Sequence, residues 1–359
     1  MLDQILTRLQ EASSIVISTH TRPDGDGIGS QLALGLFLEK HGKTVALINH
    51  DRPPYTLDWL PEIDHLEIFD GSLEQRERIA NADVLIITDT NNEERLGDVG
   101  SSIKGASGTK ILIDHHTDSE DWFDLEYTRE TASSTGELVY ELMDSWNLDT
   151  IDTAMASALY VAIMTDTGSF RFSNVTADVH RLIGDLIERG GLDSAQIHAD
   201  VYDRRSAEGI RLLSQVLATL EIHHDGNVGS MIISRRSLHE TGSSIEEAEG
   251  FVNHILSIEG VRVGLLFTET QRGTKVSFRS KAGDHVHKWA QALGGGGHRN
   301  AAGAFVRKPL EKTIRLVVDK APQFIELSYS KKSSDGELPA EDAEYLSSLL
   351  NVEHKGSEE

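Results

Sequence analysis

Four clusters of acidic and imidazole side chains in this 359-residue chain have the types and spacing for metal-dependent chemistry. They are His20, Asp24 and Asp26 in HTRPDGDGIGS, Asp89 in TDTNN, the run Asp114-His115-His116, and Asp166 in TDTGSF. Six of these side chains are candidate ligands: His20, Asp24, Asp26, Asp89, His115 and Asp166. Carboxylates and imidazoles without a thiolate favour Mn²⁺, with Mg²⁺, Co²⁺ or Fe²⁺ as options, and disfavour a structural zinc site. Six ligands exceed what one catalytic ion that keeps a water needs. They suit two divalent cations about 3.5–4 Å apart sharing a carboxylate, the arrangement of phosphoryl-transfer sites. Two cations would also cancel the repulsion among four carboxylates. Asp-Gly-Asp-Gly alone is usually a turn or a helix cap, whereas Asp-His-His after a buried strand sets three costly polar groups beside a core. The conjunction of all four clusters carries the reading.

The elements around the clusters must bring them together. Residues 14–19 (SIVIST), 44–49 (TVALIN), 84–88 (VLIIT) and 110–113 (KILI) read as strands of a parallel sheet covered on both faces. Residues 29–41 read as a helix ending at Gly42, with Gly25, Gly27 and Gly29 allowing the preceding loop to turn sharply. Residues 134–146 and 151–164 read as helices. Each polar cluster follows or ends one of these elements. In a doubly wound α/β sheet that edge, beyond the carboxyl ends of the strands, is the ligand crevice. The fold class expected is therefore α/β: a doubly wound, mainly parallel N-terminal domain over 1–190, a helical linker over 191–224 including one long helix over 206–222, and a smaller mixed α/β domain over 225–330. Residues 331–359 read as a loose acidic tail, with one short helix over 341–350.

Charge divides the chain at the same place. Residues 1–224 hold 17 basic and 39 acidic side chains, a net −22, and residues 225–330 hold 14 and 11, a net +3. With the tail at −5 the total is −24. There is no cysteine, which excludes a disulfide framework, a Cys-type zinc site and a thiol nucleophile. Apolar runs are too short to span a bilayer, and the first residues lack the pattern of a secretory signal, so no membrane partner and a cytoplasmic location are expected.

The second domain carries GGGGHRNAAG over 294–303. Four consecutive glycines cost backbone entropy, and close approach of backbone N–H groups to an anion is a reason to keep them. With Arg299, and with Arg262, Arg279 and Ser280 on or beside neighbouring strands, this segment reads as a site for substrate phosphate or base. His223-His224-Asp225 reads as a solvated turn. His50, His65, His180 and His198 receive no role, and His285 and His287 stay unassigned.

Taken together, HTRPDGDGIGS, TDT, DHH and TDTGSF, in that order, resemble the four motifs of the DHH phosphoesterase superfamily, and GGGGHRNAAG resembles the signature of its nucleic-acid-binding C-terminal domain. The resemblance covers residues 1–325, and in layout the chain is similar to the bacterial nanoRNase group of oligoribonucleases and 3′-phosphoadenosine 5′-phosphate (pAp) phosphatases. It implies that His20, Asp24, Asp89 and Asp166 contact one or both ions. Asp26, Asp89, His115 and Asp166 would surround the second, with Asp89 and also Asp166 as bridging residues. It further implies that Asp114 orients His115 and that His116 faces the scissile phosphate. In the second domain His298 and Arg279 would hold phosphate, Ser280, Gly296 and Gly297 would line the site, and Arg262 would lie near the base. The expected activity is Mn²⁺-dependent hydrolysis of short oligoribonucleotides to mononucleotides and of pAp to AMP, by two-metal in-line attack of hydroxide on phosphorus. Expected partners are such short substrates and phosphorylated nucleotides, not long duplexes, since the chain has no extended Lys/Arg track. The reading leaves a homodimer open. The alternatives are a cyclic di-AMP or pApA phosphodiesterase and, in another class, a non-catalytic nucleotide-binding regulator. A pyrophosphatase is disfavoured by GGGGH.

Overall fold

In a computed structural model, which describes residues 1–325 apart from 118, 282, 283 and 298, the chain forms two compact units divided between Ser206 and Ala207. The first holds strands β1 (Ser14–Ser18), β2 (Thr44–Asn49), β3 (Leu66–Ile68), β4 (Val84–Thr88), β5 (Thr109–Asp114) and β6 (Leu125–Thr128). Its helices are α1 (Leu2–Glu11), α2 (Gly25–Lys40), α3 (Leu73–Ala80), α4 (Gly100–Gly105), α5 (Thr135–Trp146), α6 (Thr153–Asp166), α7 (Ala177–Gly190) and α8 (Ser194–Tyr202). The sheet is parallel throughout with order β3-β2-β1-β4-β5-β6, the doubly wound topology expected. Central strands are apolar on both faces because both are covered. Ile15, Ile17, Val84, Ile86, Ile111 and Ile113 pack with α1, α2, α5 and α6, while Val16, Leu85, Ile87 and Leu112 pack on the other side with Ile79 of α3 and Ile103 of α4. The edge strands β3 and β6 are short and only partly buried, so they lack the apolar run by which the other four are readable.

The second unit holds α9 (Ala207–Leu217), β7 (Glu221–His223), β8 (Val228–Ile233), α10 (Arg235–Thr241), α11 (Phe251–Leu256), β9 (Val263–Glu269), β10 (Thr274–Ser280), α12 (Val286–Gln291), β11 (Gly296–Gly297), β12 (Ala301–Val306) and α13 (Leu310–Lys320). Its sheet runs β11-β12-β10-β9-β8-β7 and is mixed, with only β8 and β9 parallel. The long helix expected over 206–222 is therefore cut short. It ends at Leu217, and residues 221–223 pair with β8 because the tight turn His224–Gly226, all at positive φ, folds the chain back. His223-His224-Asp225 closes this hairpin: His223 contacts the Ser230 hydroxyl (2.8 Å) and His224 the Val318 carbonyl (2.8 Å). The helix expected to start at residue 29 starts at Gly25, because Asp24 caps it, accepting from the N–H groups of Asp26 (3.1 Å) and Gly27 (3.2 Å). Likewise α6 runs to Asp166 itself. The tail over 331–359 lies outside the described residues.

Candidate metal centre and phosphate site

The loops and helix start at the carboxyl ends of β1, β4 and β5, together with the last turn of α6, deliver the six candidate ligands to one place. β1 leads to His20 and then to α2, whose first turn carries Asp26. β4 ends immediately before Asp89, β5 ends at Asp114, and α6 brings Asp166 in from the side. Asp89 takes φ +60°, a left-handed conformation that costs a non-glycine residue roughly 1 kcal/mol or more and is concentrated at functional sites. Three groups of donor atoms lie mutually within 4.8 Å: His20, Asp24 and Asp89; Asp26, His115 and Asp166; and Asp89, His115 and His116. Asp89 belongs to two of these groups, with Oδ2 3.3 Å from His20 Nε2 and Oδ1 3.6 Å from His115 Nε2. His115 Nε2 also faces Asp26 (3.7 Å) and Asp166 (3.6 Å).

Surrounding polar groups fix these side chains. Asp26, 1% exposed, accepts from the N–H groups of Thr135 (2.7 Å) and Gly136 (2.9 Å) at the start of α5, and from the Ser30 hydroxyl (3.0 Å). The Thr135 hydroxyl donates to Asp89 Oδ1 (3.1 Å). His20 Nδ1 donates to the Thr21 carbonyl (2.9 Å), which turns Nε2 to the cluster. The expectation for Asp114 needs correction. Its Oδ1 lies 2.6 Å from Nδ1 of His116, whereas Nδ1 of His115 faces the Ala132 carbonyl at 3.4 Å. Successive residues leaving β5 point to opposite sides, so Asp114 shares a side with His116 and not with His115. Thr135 and Gly136 are contributors the sequence reading missed. Nothing in a helix start distinguishes one that caps a distant carboxylate from one that faces water.

The glycines of HTRPDGDGIGS also act differently from expectation. Gly25, Gly27 and Gly29 lie in α2 with ordinary helical backbone, and what they supply is room. A Cβ on Gly29 would sit 2.3 Å from the Ala158 carbonyl oxygen, and one on Gly25 2.4 Å from the Thr165 hydroxyl. Close contact of α2 with α6 holds Asp26 beside Asp166.

The electrostatics are those of a centre that needs cations. Burial pushes Asp26 well above the usual carboxylate range, and the charges of Asp89 and Asp166 add to this. Asp166 rises to about 6, first from burial and then from Asp89, against the favourable His115. Burial alone would lower the imidazoles, but hydrogen bonds with Asp24 and Asp89 raise His20 to about 10, and the charges of Asp166, Asp26 and Asp89 raise His115 to about 9. Carboxylates gathered at chelating distance, Asp26 and Asp89 among them buried, with imidazole Nε2 atoms turned inward, fit divalent cations. Binding must then displace the protons of His20 and His115. Affinity for Mn²⁺ is therefore expected to tighten as pH rises from 6 to 9, with net proton release when calorimetry is run in buffers of different ionisation enthalpy. Equal affinity at pH 6.5 and 8.5 would contradict this.

In the second unit, Gly296 and Gly297 pair as β11 with Gly303 and Ala302 of β12, and both are exposed. The glycine run is thus a strand edge: a Cβ on Gly295 or Gly297 would meet the β12 backbone at 2.1 or 2.6 Å. The Ser280 hydroxyl donates to the Asp284 carbonyl (2.7 Å) and accepts from Asn300 (2.9 Å), so it also shapes the loop. Arg279 lies on β10, and the Arg299 carbonyl accepts from Val286 N–H (2.8 Å). Arg262, expected on a strand near a base, precedes β9 and its guanidinium forms a two-point ion pair with Asp284, Nε to Oδ2 at 2.9 Å. Burial of Asp284 at 4% exposure makes that partner obligatory. His298 lies outside the described residues. Among the described residues no helix is long and apolar enough to cross a membrane.

A parallel sheet whose carboxyl edge gathers chelating carboxylates and imidazoles, followed by a mixed domain with a glycine-rich edge, defines a class of hydrolases that act on phosphate esters. The chain belongs to the DHH family: residues 14–163 match its N-terminal domain and residues 230–327 match the DHHA1 domain. It is 31% identical to the bifunctional oligoribonuclease and PAP phosphatase NrnA of Thermus thermophilus, over 82% of this chain and 84% of the relative. It is 28% identical to the Bacillus subtilis protein of the same name, over 85% and 93%. An exopolyphosphatase-related protein from Bacteroides fragilis superposes with a TM-score of 0.84 at 30% identity, covering 89% of this chain and 95% of that one. The protein is a hydrolase acting on nucleotides or oligonucleotides.

Proposed function

We propose that the protein is a Mn²⁺-dependent phosphoesterase that hydrolyses short oligoribonucleotides to mononucleotides and pAp to AMP. The observation that carries this reading is the convergence of six ligands, with Asp89 shared, in a chain whose relatives are named for those two activities. His20, Asp24 and Asp89 would hold one cation and Asp26, His115 and Asp166 the other, with Asp89 between them. When bound, two divalent cations supply Lewis acidity toward the phosphate and a water acidic enough to lose a proton near neutral pH.

The chain's own residues supply the rest. The backbone amides starting α5 lock Asp26, so its carboxylate need not reorganise when substrate arrives. Asp114 holds His116 with Nδ1–H donated to the carboxylate, and the proposed role of His116 is to face the scissile phosphate with Nε2. In the second unit Arg279, Ser280, Gly296, Gly297, His298 and Arg299 are the residues proposed to hold substrate phosphate, and the mildly basic balance of residues 225–330 in an acidic chain supports that assignment. The proposed substrates are short, and the proposed location is the cytoplasm.

The deciding experiment incubates the protein and Mn²⁺ with pAp, a diribonucleotide, a 24-mer RNA, cyclic di-AMP and pyrophosphate and compares initial rates. Fastest turnover of pAp and the dinucleotide is expected. Preference for the 24-mer, for pyrophosphate or for cyclic di-AMP would overturn the proposal.

A further inference from the structure

We propose that Arg95 is a further catalytic residue, its guanidinium contacting the non-bridging oxygens of the scissile phosphate beside His116. This rests on the phosphoesterase reading above. Arg95 stands in the irregular stretch after β4, six residues beyond Asp89, and its Nη1 lies 3.5 Å from His116 Nε2. With Nδ1–H of His116 directed to Asp114, Nε2 is the ring nitrogen on the opposite side, and Arg95 stands on that side.

Half-burial without a carboxylate partner singles this arginine out: Arg22, Arg52, Arg76 and Arg171, which also form no ion pair among the described residues, are exposed. In a unit with a large acidic excess, Arg78, Arg129, Arg189 and Arg204 each form ion pairs with carboxylates. Among the described residues no carboxylate lies within 4.0 Å of the Arg95 guanidinium, although four aspartates crowd the adjoining centre. Those aspartates are directed at one another and at imidazoles, the positions where cations would sit. A half-buried guanidinium left at the rim of such a centre matches an anion that arrives with the substrate.

The local backbone holds Arg95 in place. Its carbonyl accepts from Thr21 N–H (2.6 Å), tying it to the loop that carries His20, and the Asp98 N–H donates to His50 Nδ1 (3.2 Å). Between these anchors Gly97 takes φ +64°, and a Cβ there would lie 2.6 Å from His50 and 2.8 Å from Thr21. The stretch is thus drawn against the His20 loop at a position only glycine fits, which sets Arg95 over His116.

In the reaction, water oxygen bonds to phosphorus and the ester P–O bond breaks. One water proton ends on the leaving oxygen and the other stays with the phosphate product or passes to solvent. Charge rises on the non-bridging oxygens as this proceeds, and a guanidinium placed beforehand stabilises the transition state more than the ground state.

The test compares wild type, Arg95→Ala and Arg95→Lys in pAp hydrolysis with Mn²⁺, alongside Mn²⁺ titration of each protein. Arg95→Ala is expected to lower kcat about 10²–10³-fold, as loss of one transition-state donor does, while KM changes much less. Mn²⁺ affinity and stoichiometry should be unchanged, added methylguanidine should restore part of the rate, and Arg95→Lys should fall between, since an ammonium cannot make the two-point contact. Undiminished kcat in Arg95→Ala, or a loss accompanied by weakened Mn²⁺ binding and no rescue, overturns the assignment. Were Arg95→Ala not to fold, wild-type kcat in Arg95→Lys would overturn the two-point contact. Wild-type protein inactive on pAp overturns the phosphoesterase reading itself, so the two failures are distinguishable.

Discussion

Asp89→Asn is expected to reduce Mn²⁺-dependent hydrolysis of pAp by about 10³-fold or more, equivalent to about 4 kcal/mol of transition-state stabilisation. The substitution is nearly isosteric and leaves the φ of +60° accessible, because Asn tolerates the left-handed region as well as Asp does. What it removes is charge and one acceptor. Asp89 faces His20 through Oδ2 and His115 through Oδ1, and it accepts from Thr135. Among the described residues no other side chain belongs both to the group with His20 and Asp24 and to the group with the two histidines. A neutral amide there weakens both halves of the centre at once. Mn²⁺ titration should show loss of binding, and circular dichroism an unchanged fold. Asp114→Ala is the instructive contrast: it should lower the rate through a misoriented His116 while leaving Mn²⁺ binding intact, because Asp114 contacts His116 and belongs to none of the three donor groups. Wild-type turnover in Asp89→Asn would remove Asp89 from the assignment.

Gly29→Ala, a substitution that favours an isolated helix, is expected to destabilise this one. Removing a mid-helix glycine gains about 1 kcal/mol from propensity. Against that, the new Cβ would lie 2.3 Å from the Ala158 carbonyl oxygen and 3.0 Å from the Ala162 backbone nitrogen, and a packed helix backbone cannot swing aside. Overpacking of this kind costs about 1–3 kcal/mol. The clash wins, and α2 must move off α6. These two helices carry Asp26 and Asp166, so the movement also separates two candidate ligands. A Tm lowered by several degrees together with weaker Mn²⁺ binding is the expected result. Gly184→Ala in α7 is the control: a Cβ there meets nothing within 4 Å among the described residues, so the same exchange should be neutral or slightly stabilising. A stabilised Gly29→Ala protein with wild-type Mn²⁺ affinity would refute the packing argument.

The readable features were those with short-range causes. The central strands β1, β2, β4 and β5 are legible because strands covered on both faces must be apolar along their whole length, whereas β3 and β6, at the edges, carry no such run. The start of α2 was misread by four residues, since DGDG suits a turn as well as a capped helix and only the Asp24 bonds to Asp26 and Gly27 distinguish them. Helical composition continues past Leu217, so nothing local announced that residues 221–223 would leave the helix to pair with β8.

Chemistry and spacing by themselves determined the candidate ligand types, the absence of thiol chemistry, the α/β class and the placement of each acidic cluster at the end of an element. These follow from side-chain properties and from periodicity, which act within a few residues. Only the tertiary structure decided which partners meet: that Asp114 serves His116, that α5 amides lock Asp26, that Arg262 is engaged by Asp284, and that Arg95 stands over His116. Such pairings join residues far apart in the chain or on one side of a pleat. They are fixed by sheet order and helix packing, which no local pattern encodes.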